Sequence, residues 1–220
     1  MRGAASGLAL RADRHYTVTI SVHHSAMSMQ DEILDFWFAP HGSAEHGKTR
    51  ELWFRKDASV DQAIRARFGT AVETALAGGY GEWTSPRGAL ARVLLLDQFT
   101  RNIYRETPRA FSGDILALGI STAAVANGDD RSLIPVERRF LYLPFEHAED
   151  RALQQQSVAL FTALHRQNEQ GEQFAGPLEY AIRHRDVVQR FGRFPHRNAV
   201  LGRVSTPEEE DFLRLPGSGF

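Results

Sequence analysis

Ser85-Pro86 opens a stretch that ends in Val93-Leu94-Leu95-Leu96. Serine can cap the first free N–H groups of a helix, and proline suits the first helical position because its ring already holds the required φ. The helix that follows is apolar on nearly every side, so it cannot lie at a surface with one face wet. Other elements must enclose it. No alternating strand pattern occurs outside Tyr16-Thr17-Val18-Thr19-Ile20, so the enclosing elements are helices as well.

Their boundaries are written in local chemistry. Ser28 can cap a helix running through Ile33, Leu34, Phe36, Trp37 and Phe38 to Pro40. After a polar loop from His41 to Thr49, Ser59 and Gln62 read as a capping box. The helix behind them places Ile64, Phe68, Val72 and Leu76 on one face and stops at Gly78-Gly79. Ser112 is expected to cap a helix that ends near Asn127-Gly128, and Pro135 starts another. A long helix is expected from about Glu146 to Glu169, with its stop at Gly171. Gly176-Pro177 opens the next, and Pro207 with Glu208, Glu209 and Glu210 opens a short last one, where the dipole favours acids. Short loops between helices imply antiparallel neighbours. The fold class is therefore all-α, with residues 27–214 as one domain. Residues 1 to about 26 match nothing later and read as a disordered or mis-annotated extension, with Met27 or Met29 as the start. Residues 215–220 read as a flexible tail.

Composition removes several functions. With 220 residues the chain can bury a sizeable core, and its formal net charge of -1 supplies no field to steer it onto nucleic acid or an anionic membrane. Cysteine is absent, which excludes disulfides, thiolate metal sites and cysteine nucleophiles. No run of 18 or so apolar residues is evident, so no membrane span is expected and the cytoplasm is the expected location. There is no Gly-x-Ser-x-Gly elbow and no Walker loop, and Gly78-Gly79-Tyr80-Gly81 lacks the spacing of a dinucleotide loop. No cofactor is expected. Metal is not expected either, because neither His-Glu-x-x-His nor paired Glu-x-x-His motifs occur. Oligomeric state is left open.

Three segments mix ionisable groups with apolar ones. Asp97, Arg101 and Arg105 are spaced four apart at the end of the apolar helix, with Asn102 among them. They would stack along one face if the helix continues past Phe99, as a buried network, a surface ladder or a ligand site. Glu146 and His147 follow Pro144 and read either as dipole compensation in a first helical turn or as acid–base groups. The block Phe191 to Asn198 holds Arg193, His196, Arg197 and Asn198 between a glycine and a proline, which marks a sharp corner. His184 lies on the stripe Tyr180, His184, Val187, Phe191, where a histidine is more often a hydrogen-bonded core residue than a ligand contact.

The phrases Leu96-Asp97-Gln98-Phe99 with Arg101-Asn102, Phe140-Leu141-Tyr142-Leu143-Pro144 with Glu146-His147, then His184, Phe191–Asn198 and Leu201-Gly202-Arg203 resemble the bacterial domain-of-unknown-function family numbered 924. Thr100 stands where that pattern has proline. The resemblance covers roughly residues 30 to 213 and implies an all-helical, tetratricopeptide-like array, without an activity. Two functions follow as expectations. One is a pocket for a small anionic molecule, with His147, Glu146 and His184 moving protons and the arginines as forked donors. The other is a protein-interaction module in which the polar phrases only lock helix packing.

Overall fold

In the computed structural model, which describes residues 27–167 and 175–219, the apolar stretch is the central rod. It runs as α3 (Pro86–Val93), passes into a π-helical segment at Leu94–Phe99, and ends as α4 (Thr100–Ile103). Ser85 Oγ accepts from the Gly88 N–H at 3.0 Å, with Pro86 in the first turn. Leu90, Val93, Leu94 and Leu95 have no exposed surface. Each buried leucine is worth about 1.5–3 kcal/mol over an exposed one. Four helices pack on this rod: α1 (Met29–Phe38), α2 (Ala58–Leu76), α5 (Asp114–Asn127) and α6 (Pro135–Glu146).

From α6 the chain continues as α7 (Arg151–Gln167), α8 (Ala175–Phe191) and the short α9 (Pro207–Leu213). Consecutive packing of α6, α7 and α8 makes an all-α single domain compatible with the tetratricopeptide-like array; no strand occurs among the described residues. The readings made for residues 1 to about 26 and for the stop at Gly171 lie outside the described residues. Beyond Leu213, Arg183 of α8 donates to the Gly217 carbonyl at 2.8 Å.

Several starts and stops fall where local chemistry puts them. Ser28 accepts from the Asp31 N–H at 3.2 Å, Pro135 and Pro207 each stand in a first turn, and Gly128 ends α5 at φ 77°. Three do not. The cap of α2 is Asp57, whose carboxylate takes the Ser59 N–H at 2.8 Å; Ser59 is already inside the helix. Ser112 donates to the Arg109 carbonyl instead of capping α5, which starts after Gly113.

The third correction matters most for the site. Glu146 ends α6 rather than starting α7, because Asp150 begins α7 by accepting from the N–H groups of Ala152 and Leu153 at 2.8 and 2.9 Å. A dipole role for Glu146 in a first turn is thereby removed. Buried Gln154 donates to the carbonyls of Glu146 (2.6 Å) and Ala148 (2.8 Å), which satisfies acceptors left open at the end of α6.

One stretch, Pro108–Asn127, does have the length and hydropathy (1.2) of a membrane span, with 28% of it buried. It is not one continuous helix. A 3-10 turn at Pro108–Phe111 precedes α5, and Asp114, the first residue of α5, is held in ion pairs.

Candidate active site

The π-helical segment puts a carboxylate in the core. Such segments are rare and concentrate at functional sites, and Asp97 stands inside this one with no exposed surface. A buried charge survives only with partners. Arg101 approaches Asp97 Oδ1 at 3.1 Å, Gln98 Nε2 donates at 2.6 Å, and His147 Nδ1 lies 2.7 Å away. Burial pushes the Asp97 carboxyl up, but Arg101, His147 and Gln98 outweigh it and hold it well below the usual range. An ionised carboxylate only accepts, so His147 carries its proton on Nδ1 and donates it to Asp97. The Nε2 of a neutral His147 is then a base. Burial lowers the His147 pKa, and Asp97 offsets this only in part.

Next to this pair sits an arginine cluster. Arg101 also reaches Asp114, at 2.9 and 3.2 Å, while Arg197 approaches the same carboxylate no closer than 3.6 Å. Asp114 can stand there because of Gly113: a Cβ at that position would collide with the Leu96 carbonyl of the π segment. The Arg197 guanidinium lies over Phe194 (4.5 Å) and Phe111 (4.8 Å). Only 8% of its side chain is exposed, and its Nε is buried with no hydrogen-bond partner among the described residues. Burial and the charge of Arg101 bring the Arg197 pKa down to about 10, so it stays charged at neutral pH.

The second histidine belongs to α8. His184 Nδ1 donates to the Tyr180 carbonyl at 2.9 Å and lies 3.5 Å from Glu146 Oε1. Its ring centre is 6.3 Å from that of His147. Burial and the neighbouring His147 lower His184 to about 3, so it is neutral. Glu146 is pushed the other way, up to about 8, by burial; Arg139 opposes this and Asp97 adds to it. Two carboxylates of one cluster therefore hold opposite states at neutral pH: Asp97 ionised, Glu146 protonated.

These groups open on a cavity of about 580 Å³, within the size range of small-molecule sites. Arg101, Arg197, His147, His184 and His196 line it, joined by Asn102 and Arg105. Asp97 and Glu146 stand behind the two histidines rather than on the wall. Arg105 does not extend the expected ladder, because α4 ends at Ile103 and Arg105 turns to Asp61 on α2 (2.8 and 2.9 Å), which Asn102 also contacts at 2.7 Å. Arg193 and Asn198 are elsewhere. Arg193 makes a two-pronged pair with Glu209 at 2.7 Å, and Asn198 donates to Glu209 and Ser205, so both fasten α9 to the corner. Gly192 makes that corner with φ 74°, and Glu149 braces it through the Phe194 N–H at 2.7 Å. Asp114, Phe111 and Trp37 on the cavity wall or just behind it carried no signal beyond a helix start and two apolar positions. Among the described residues no three His, Asp or Glu side chains converge closely enough to hold a metal.

The fold and cavity define an all-helical protein with a concave site where imidazoles and guanidinium groups line the wall and buried carboxylates stand behind them. A family model described as "Bacterial protein of unknown function (DUF924)" matches residues 33–217, and the chain belongs to that family. A solved structure of a protein of unknown function, ATU0120 from Agrobacterium tumefaciens, is 38% identical, with a TM-score of 0.71 over 84% of this chain and 96% of that one. Curated proteins gave no match.

Proposed function

We propose that this cavity binds a small organic anion and that His147 moves a proton on it. The observation that carries the proposal is the Asp97–His147 pair at 2.7 Å, with Arg197 on the same cavity. Arg101 is already neutralised by Asp97 and Asp114, and Arg105 by Asp61. Of these three buried or half-buried arginines Arg197, at 3.6 Å from Asp114, has the most unspent charge, so it is the anchor for the acid group.

Asp97 fixes the ring and tautomer of His147, and Nε2 accepts a proton from a bound water or from the substrate itself. Ionised Asp97 stabilises the imidazolium that forms, while Arg197 holds the negative charge. A hydrolytic or lyase-type step fits this arrangement most simply. The work belongs to a small molecule in the cytoplasm, with no part for a metal, a cofactor, nucleic acid or a membrane.

Thermal unfolding in the presence of phosphate, acetate and heptanoate tests the binding. At least one anion should raise the melting temperature of the wild type and of His147→Gln, and the rise should vanish in Arg197→Gln. Full stabilisation of Arg197→Gln would overturn the assignment. A second reading, a protein-interaction module, has one observation behind it: Ile115 on α5 is 86% exposed and Leu116 beside it 40%. Under that reading Ile115→Glu would abolish association seen by sedimentation, and no anion would protect any variant.

A further inference from the structure

Two amides at the end of the central rod have their orientation fixed by carboxylates. Gln98, on the π segment, donates from Nε2 to Asp97 Oδ2 at 2.6 Å, and Asn102, one turn on in α4, donates from Nδ2 to Asp61 Oδ1 at 2.7 Å. An ionised carboxylate only accepts, so the NH2 end of each amide must face its aspartate and the carbonyl oxygen must take the other side. Both residues line the cavity. Neither carbonyl oxygen has a hydrogen-bond partner among the described residues, and neither is sealed in the core.

Four positions further, Glu106 lines the same cavity. Its φ is 62°, in the left-handed region that glycine enters freely and other residues rarely. No contact within the chain accounts for a carboxylate there. Among the described residues Glu106 makes no hydrogen bond or ion pair; its charge reaches Arg105, but that guanidinium is held by Asp61 at 2.8 and 2.9 Å. Of the other rim cations, Arg55 pairs with Glu51 and Lys56 makes no pair with Glu106. Three acceptors, at positions 98, 102 and 106, thus line one cavity with nothing donated to them. Arg197 has the complementary lack, since its guanidinium lines the cavity and makes no hydrogen bond among the described residues.

We infer that the anion of the proposed function carries a protonated amino group: its acid group meets Arg197, and its ammonium meets the oxygens of Gln98, Asn102 and Glu106. This rests on the anion reading and names the class within it, amino acids and related zwitterions rather than plain organic acids. An ammonium has three donors and no acceptor, which matches three acceptors that include one carboxylate. A hydrocarbon acid leaves all three without a ligand partner. Charge-assisted hydrogen bonds of this kind should separate the two classes by about tenfold or more in affinity.

Calorimetric titration of the full chain at neutral pH with heptanoate and with its 2-, 4- and 7-amino derivatives decides it. At least one amino acid should bind about tenfold tighter than heptanoate. Glu106→Gln, which keeps the side chain's size and removes its charge, should cut that advantage by about fivefold or more while leaving heptanoate no weaker. If heptanoate binds and no amino derivative binds more tightly, the inference fails and the anion reading stands. An undiminished advantage in Glu106→Gln overturns the placement of the ammonium. If none of these acids binds and no anion stabilises the wild type, the anion reading fails and takes the inference with it. Should Glu106→Gln not fold by circular dichroism, the comparison of amino and plain acids on the wild type decides the matter without it.

Discussion

Glu146 offers the sharpest test of the site's electrostatics. It is 4% exposed, faces His184 on α8 and feels Arg139 on its own helix and Asp97 on the π segment. With its pKa near 8 in the folded chain and near 4.5 in the unfolded one, the folded state keeps a proton between those values that the unfolded state has released. Rising pH therefore favours unfolding across that window, by about 1.4 kcal/mol per unit and roughly 3–5 kcal/mol in all. His184 and His196, lowered to about 3 and 4, act oppositely below their ordinary value of 6.5, because there the unfolded chain binds the extra protons. His147, lowered as well, acts with them; the contributions compete up to about pH 7.5, and the Glu146 effect is read by comparison with a variant that does not titrate there. Glutamine has nearly the shape of a protonated glutamate and does not titrate. Urea unfolding followed by circular dichroism from about pH 5.5 to 8.5 should show Glu146→Gln gaining stability relative to the wild type by about 1.5–2 kcal/mol between pH 6.5 and 8, a difference from which the histidines cancel. Parallel curves for the two proteins would refute a protonated Glu146.

Leu95→Ala should cost about 2–5 kcal/mol, because Leu95 has no exposed surface in the central rod; a loss under about 1 kcal/mol by urea unfolding would contradict that burial. Gly113→Ala should cost about 1–3 kcal/mol and weaken anion protection as well, since relieving the collision with the Leu96 carbonyl must displace Asp114. Unchanged anion protection in a folded Gly113→Ala would show that Asp114 does not set the position of Arg197.

Helix starts and stops were legible where one residue decides them. Ser28, Ser85-Pro86, Pro135, Gly128 and Pro207 each act on backbone groups within a few residues, so composition and order suffice. Where two local candidates competed, the sequence did not rank them: Asp57 took the cap from Ser59, and Asp150 moved the start of α7 past Glu146. The all-round apolar run Val93 to Leu96 determined that this segment lies at the centre. It also determined that ionisable groups at its end would need partners. Which partners was decided by the tertiary structure alone. Asp97 meets His147 across fifty residues of chain, and Arg101 and Arg197 meet at Asp114 because a missing Cβ lets α5 approach the rod. Trp37 read as one more core aromatic; that its N–H lacks an acceptor among the described residues is a property of its neighbours, not of its type. Hydrogen bonds and ion pairs act over about 3–4 Å. Distances that short between helix ends are set by how whole helices pack, and spacing along the chain does not encode them.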